Sequence, residues 1–280
     1  MPENGILAVF AHPDDETFGL AGIMARYSSR GVPITMVCAT RGEAGEIAPG
    51  VDATPENLHL VRERELREAM RIVGVSDVRF LGFRDSGMKG TADNEDPRAF
   101  INAHPDAVVH LITRIIREVK PAIVVTWDES GGYGHPDHIA THHHATAAFH
   151  AAADPARYPT SGPPWQAKAL FYNCIPVDEF QSVMRELQQR TGSAVDPPGD
   201  AEEMMRLPRV TPNVVVDVSA EYGRKLEAFR AHASQLSDSD IFLKMPDDLS
   251  RRLFAREWFY RATPPVPDGK LLQDLFEDLP

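Results

Sequence analysis

The run Ala11-His12-Pro13-Asp14-Asp15-Glu16 gathers one imidazole and three carboxylates, and Gly131-Gly132-Tyr133-Gly134-His135-Pro136-Asp137-His138 gathers two further imidazoles, an acid and a phenol. Such groups repel phosphate and attract a cation. A dinucleotide-binding loop has the opposite character, with glycines that let backbone amides approach a pyrophosphate. Two His/Asp loops brought to one place can supply a three-ligand site with an open position, which metal-assisted hydrolysis requires. The plainer alternative makes each loop a proline-stiffened helix start with aspartate as the N-cap. That alternative is easier to hold for either loop alone than for both. His104-Pro105-Asp106 is the control: it has no second acid or histidine, and it reads as a helix N-terminus with Pro105 at the first position. His142-His143-His144 cannot all face one ion, because successive helical residues point about 100° apart; it reads as mostly solvated helix surface.

Both loops need a scaffold that ends a strand beside them. Ile6 to Phe10 is a short apolar run that reads as a buried strand, and Thr17 to Arg30 has helical spacing. Pro33 to Ala39, Val78 to Leu81 and Ala122 to Thr126 read as further strands. Between them come a helix from Thr54-Pro55-Glu56 to about Val73 and another from Pro105 to Lys120. This alternation specifies an α/β, Rossmann-like fold: a mostly parallel sheet with helices on both faces and ligands at the carboxyl ends of the strands. Helices are expected over Ile139–Ala153, Val177–Arg190, Ala220–Ala233 and Leu249–Arg261, and later strands over Ala167–Asn173 and Asn213–Val218. The whole chain, 1–280, is read as one catalytic domain. Residues 1–175 form the core that carries the metal site, and 176–280 form a C-terminal extension that completes the substrate pocket. The loops Thr40–Ala53, Gly87–Ala103 and Thr191–Pro208 are expected to wall that pocket.

Composition narrows the class of partner. Lys and Arg number 29 against 41 Asp and Glu, a net charge of −12, which disfavours nucleic acid and anionic lipid surfaces, though a local basic patch could serve a small anionic group. No stretch approaches the roughly 20 apolar residues of a membrane span. The two cysteines, Cys38 and Cys174, form no cluster, so a reducing, cytoplasmic setting is expected. Oligomeric state leaves no readable mark.

The two loops resemble the paired signatures of the PIG-L-like, or LmbE-like, de-N-acetylase superfamily. Also similar are Thr40-Arg41-Gly42-Glu43-Ala44-Gly45, Arg62 with Glu65 and Leu66, Phe83-Arg84-Asp85-Ser86-Gly87-Met88, and a late set of Lys225, Ala228, His232, Ser234 and Gln235. The likeness is dense through residue 150 and thinner afterwards. The second loop is especially similar to those of the family's mycothiol-pathway branches, a deacetylase and a conjugate amidase.

The resemblance implies a metal-dependent amide hydrolase that deacetylates an N-acetylglucosaminyl-type substrate. It makes His12, Asp15 and His138 the metal ligands and Asp14 the general base. A divalent ion, zinc first and ferrous iron second, would lower the pKa of a bound water that Asp14 then deprotonates. His135 and Tyr133 would stabilise the oxyanion, and Asp137 would orient His135 and keep it protonated. For Asp137 the alternative is a simple helix N-cap. Arg62 and Asp85 resemble positions that touch substrate; their alternatives are a surface ion pair of Arg62 with Glu65 and a turn cap at Asp85. Glu16, Glu43 and Glu46 belong either to the pocket rim or to a solvated face. Either Asp14 or His135 must protonate the leaving amine.

Other readings share these residues. A thiol-conjugate amidase or another N-acyl hydrolase would use the same site. Two histidines and a carboxylate also form the facial triad of non-haem Fe(II) oxygenases. An inactive sugar-binding module is disfavoured by the intact Asp14, Asp15 and His138.

Overall fold

A computed structural model describes residues 5–174, 176–192, 210–236 and 240–280. Strands β1 (Ile6–Phe10), β2 (Ile34–Cys38), β3 (Asp77–Phe80), β4 (Ile123–Trp127), β5 (Ala169–Asn173), β6 (Val214–Asp217) and β7 (Arg256–Thr263) form one sheet in the order β3-β2-β1-β4-β5-β7-β6. The five strands from β3 to β5 pair in parallel, whereas β7 runs antiparallel to both β5 and β6. The fold is therefore α/β and Rossmann-like, and its C-terminal part extends the same sheet.

Every residue of β1 is buried, and its side chains divide between two cores. Ile6, Ala8 and Phe10 meet α2 (Ala21–Ser29), α3 (Leu58–Val73) and α8 (Tyr222–Arg230), while Leu7 and Val9 meet α4 (Pro105–Val119) and α6 (Pro136–Ala153). An apolar run rather than an alternating one is what a strand covered on both faces requires.

The chain leaves β1 toward β2 on one side, and β4 lies on the other. The carboxyl ends of β1 and β4 thus flank the point where the strand order reverses, where a crevice opens in sheets of this kind. Both His/Asp loops sit there, at residues 11–16 and 128–138.

The helix expected from Thr54-Pro55-Glu56 begins only at Leu58, with Asn57 at its N-cap, and two elements depart further from the sequence reading. The single helix expected over Thr17–Arg30 is two: α1 (Asp15–Gly19) and α2, broken at Leu20. A side chain at Gly19 would meet Asn173 at 2.2 Å. Across the break, Glu257 accepts the N–H groups of Gly22 and Ile23 at 2.8 and 2.9 Å. Lys225 Nζ donates to Glu257 at 2.7 Å and to the Phe18 carbonyl at 2.8 Å. One fully buried ion pair, supplied from far along the chain, therefore satisfies the last turn of α1 and the first of α2.

The helix expected over Leu249–Arg261 ends at Phe254, as α9 (Asp247–Phe254), and β7 follows. Glu257, Phe259 and Arg261 are buried in strict alternation. Two of those three inward positions carry charges, which hides the period of two from an apolar count. Arg261 is satisfied by the carbonyls of Pro264 and Glu277, at 3.0 and 2.8 Å.

No described helix is long and apolar enough to cross a membrane. The expected loop Thr191–Pro208 lies outside the described residues apart from its start: α7 runs Val177–Thr191 and ends at Gly192, and description resumes at residue 210. Of the histidine triplet only His143 is exposed; His142 is buried, its Nδ1 donating to the Trp127 carbonyl at 2.9 Å.

Candidate active site

His12 and His138 meet across the crevice, with Nδ1 of the first 3.2 Å from Nε2 of the second. Each ring has its other nitrogen committed. His12 Nε2 lies 3.1 Å from Asp137 Oδ2, and His138 Nδ1 lies 3.0 Å from the Gly131 carbonyl. A carboxylate and a carbonyl can only accept, so those nitrogens carry the hydrogens and the facing ones present lone pairs. Asp15 completes the convergence, with Oδ1 3.1 Å from His138 Nε2. Its Oδ2 is held by the backbone N–H groups of Ala11 and His12 and by the Trp127 indole, at 3.0, 2.9 and 3.3 Å. Trp127 also stacks on the His138 ring, with centroids 4.4 Å apart.

With the proton that His12 attracts removed, three electron pairs aim at one buried spot. Ligand atoms around a tetrahedral zinc stand about 3.3 Å apart when bonds are about 2.0–2.1 Å; the His12–His138 and His138–Asp15 spacings match that, while His12 Nδ1 lies 3.9 Å from Asp15 Oδ2. The charge balance agrees. Burial opposes a charge on His12, but the carboxylates of Asp85, Asp137 and Asp15 outweigh it and raise the imidazole's affinity for a proton. Burial likewise opposes ionisation of Asp15, yet His138 and His12 hold its carboxyl far below the usual range. The pocket draws positive charge.

The second loop departs from its expected wiring. The helix N-cap is His135, not Asp137, and its Nδ1 accepts the Asp137 backbone N–H at 3.1 Å. Asp137 is fully buried, and its carboxylate reaches His12 and the Ser86 N–H, at 3.1 and 2.9 Å, rather than the His135 ring. Nor is His135 kept protonated: burial and the neighbouring His12 and His138 lower its pKa to about 2. With Nδ1 accepting, Nε2 of the neutral ring bears the hydrogen. His12, His135 and His138 place nitrogens within 4.8 Å of one another, as His12, Asp85 and Asp137 do their ligand atoms; with Nδ1 of His135 taken by the Asp137 N–H, its Nε2 is the nitrogen left for a partner. Tyr133 packs edge-on against His138, with centroids 5.1 Å apart, and burial first, then the charges of Asp15 and Asp14, push its phenol pKa upward. It sits in the short helix α5 (Gly131–Gly134), where Gly131 has φ 62° and a side chain would strike His138.

Asp14 has φ 101° and ψ −28°, a left-handed conformation that costs a residue with a side chain about 1–3 kcal/mol. Its side chain makes no cap bond to α1, which removes the N-cap reading. Arg62, on α3, donates to Asp14 Oδ2 at 3.0 Å, to the Pro13 carbonyl at 2.7 Å and to the Gly42 carbonyl at 2.9 Å. Gly42, at φ 70°, is pressed so close that a Cβ would lie 2.0 Å from Arg62 Nη1. Burial raises the Asp14 pKa; Arg62 opposes the rise without cancelling it, and Asp15 and Glu16 add to it.

Arg62 and Asp85, expected to face substrate, have their polar groups turned to the protein. Arg62 makes no ion pair with Glu65, which instead accepts the N–H and hydroxyl of Ser234 at 2.7 and 2.6 Å. Asp85 Oδ1 accepts the Gly87 N–H at 2.8 Å and lies 3.5 Å from His12 Nε2, and burial of its carboxyl is outweighed by His12, which holds its pKa low. Glu43 accepts the Asp85 N–H at 3.0 Å, while Glu16 is buried under the turn, not on a rim. Glu46 meets Gln235 through its backbone carbonyl, at 3.0 Å. Roles absent from the sequence reading belong to Trp127, Ser86, Glu65 and His232. Ser86, Glu65 and His232 carried a signal as members of the similar motifs, whereas Trp127 carried none.

Comparisons with known proteins add a second line. The PIG-L family model, described as GlcNAc-PI de-N-acetylase, matches residues 7–149. A protein of Geodermatophilus obscurus named 1D-myo-inositol 2-acetamido-2-deoxy-alpha-D-glucopyranoside deacetylase is 38% identical over 296 residues, covering 100% of this chain and 99% of that one. One of the same name from Thermobifida fusca is 36% identical over 281 residues, covering 95% and 96%. Among solved structures, the N,N'-diacetylchitobiose deacetylase of Pyrococcus horikoshii superposes with a TM-score of 0.63 at 21% identity, over 92% of this chain and 83% of that one. The 4-carboxy-2-hydroxymuconate hydratase GalB of Pseudomonas putida gives 0.61 at 18% identity, over 95% and 99%. At those identities the structures speak for the fold alone, and the fold carries both a deacetylase and a hydratase.

Proposed function

The chain belongs to the PIG-L family of de-N-acetylases, and from that premise we propose that it is a metal-dependent hydrolase that removes the acetyl group from an N-acetylglucosaminyl substrate, 1D-myo-inositol 2-acetamido-2-deoxy-alpha-D-glucopyranoside before others. The observation that carries the metal-dependent reading is the convergence of His12 Nδ1, His138 Nε2 and Asp15 Oδ1, beside a carboxylate, Asp14, that the protein holds in a strained turn.

His12, Asp15 and His138 would hold the ion, zinc before ferrous iron. Bound there, a divalent cation supplies Lewis acidity to the acetamide carbonyl and lowers the pKa of water toward neutrality. Asp14 accepts a proton from the attacking water, and its raised pKa brings it closer to the working pH of a general base. Arg62 keeps that carboxylate aimed. As charge builds on the acetamide oxygen, His135 Nε2–H donates to it, and the Tyr133 phenol, kept protonated by burial, is the second donor. When the C–N bond breaks, the amine needs a proton. Asp14 returns the proton it took from water, while His135, whose pKa burial lowers, keeps its role as a donor to the oxyanion. Acetate and the free amine leave. The residues of the C-terminal extension complete the pocket wall, and the two buried free thiols suit a reducing, cytoplasmic setting.

Amine release from a panel of the inositol glycoside, N-acetylglucosamine, N,N'-diacetylchitobiose and an N-acetyl thiol conjugate tests the substrate. Highest kcat/KM on the inositol glycoside supports the reading; highest on the thiol conjugate assigns the chain to amidase chemistry on the same site.

A further inference from the structure

The strained turn at Asp14 is gripped from below by a side chain from the far end of the chain. Asp14 N–H donates to Glu16 Oε2 at 3.0 Å, and Glu16 Oε1 accepts His232 Nε2–H at 2.8 Å. Glu16 and His232 are 0% and 1% exposed. The Asp14 carbonyl is held as well, by the Thr17 N–H at 3.0 Å and its hydroxyl at 2.7 Å. Because Glu16 is only two residues from Asp14, it cannot by itself fix the turn against the rest of the protein; the fixed reference is His232. That ring follows α8, and the short turn after it is clamped on two sides. Glu65 of α3 holds Ser234, while the loop of residues 42–48 is tied to it by Gln235 donating to the Glu46 carbonyl at 3.0 Å and by the Ala48 N–H donating to the Ser234 carbonyl at 2.8 Å. The same helix α3 sends Arg62, one turn earlier, to the Asp14 carboxylate.

We propose that His232 is a positioning residue for the general base: through Glu16 it holds the Asp14 backbone in its left-handed conformation, and with Arg62 it fixes where the Asp14 carboxylate points. The inference rests on Asp14 being the base. It gives the C-terminal extension a role in turnover through a residue that need not touch substrate. A base displaced by about 1 Å can lose about 100-fold in rate, so a strut of this kind acts on kcat.

The test uses the full-length, metal-loaded protein and the inositol glycoside. His232→Ala and His232→Phe, the latter keeping a ring but no N–H, should each lower kcat about 10- to 100-fold with KM and metal stoichiometry unchanged. His232→Gln, which restores an N–H at similar reach, should recover most of the loss. In an Asp14→Asn background His232→Phe should cost less than about twofold further, because two residues acting through one step are not additive. The proposal is overturned if His232→Phe keeps wild-type kcat, if His232→Gln is as slow as His232→Phe, or if His232→Phe costs the same factor with Asp14 and without it. Should His232→Ala fail to fold, the phenylalanine and glutamine variants decide. Near wild-type turnover by Asp14→Asn alone would instead sink the general-base reading beneath.

Discussion

Asp137 places its carboxylate 3.1 Å from Nε2 of His12, the ring nitrogen facing away from His138, and holds it there with the Ser86 N–H. A carboxylate behind a metal-binding imidazole fixes the tautomer and the ring angle and strengthens the ligand. Asp137→Ala is therefore expected to weaken metal affinity about 10- to 100-fold, read by titration against a competing chelator. Unchanged affinity with a pure loss of kcat would return Asp137 to the role first expected of it, orienting His135.

Asp14→Asn should retain the metal and lose about 100- to 10,000-fold in kcat, the range of a general base. Asp15→Ala and His138→Ala should lose the metal itself. The contrast between neighbouring aspartates is checked by elemental analysis beside steady-state kinetics.

His135→Ala should keep full metal stoichiometry and lose about 100- to 1,000-fold in kcat, as removal of an oxyanion donor does. Loss of metal in this variant would make His135 a ligand and shift the donor role to Tyr133 alone.

Arg62 sets the pH at which the base works. Its cation opposes the rise that burial imposes on Asp14, so Arg62→Met lets the Asp14 pKa climb further. A base acts when ionised, and activity is lost as pH falls through its pKa. The acid limb of kcat/KM should therefore move to higher pH in Arg62→Met. A limb that stays put or moves down would separate Arg62 from Asp14.

The buried Lys225–Glu257 pair bridges the break between α1 and α2 and concerns stability. Lys225→Met leaves the Glu257 charge without its cation and should cost about 3–5 kcal/mol. Lys225→Met with Glu257→Gln should cost less than the sum of the single changes, measured by denaturant unfolding of the metal-loaded protein. Strict additivity would show the pair to be uncoupled.

The sheet and both loops were legible because the signals are local. An apolar run such as Ile6–Phe10 announces a strand covered on both faces, and the His/Asp runs fall where such strands end. What stayed hidden depends on partners far apart in the chain. The break between α1 and α2 rests on Lys225 and Glu257, and β7 was masked by two buried charges that find their partners only in the folded state. Proximity in sequence pairs Asp137 with its neighbour His135, whereas its carboxylate crosses the crevice to His12. Arg62 and Glu65 looked like a surface pair at helical spacing, yet they reach to Asp14 and to Ser234.

The central claim is that His12, Asp15 and His138 hold a divalent ion on which amide hydrolysis depends. The most direct measurement is amine release from the inositol glycoside by wild-type protein stripped with a chelator, then supplied with stoichiometric zinc or, anaerobically, ferrous iron. Turnover lost on stripping and restored by one of these ions, with Asp15→Ala unresponsive to either, is the expected result. Full turnover by the stripped protein, or equal recovery by Asp15→Ala, would contradict it.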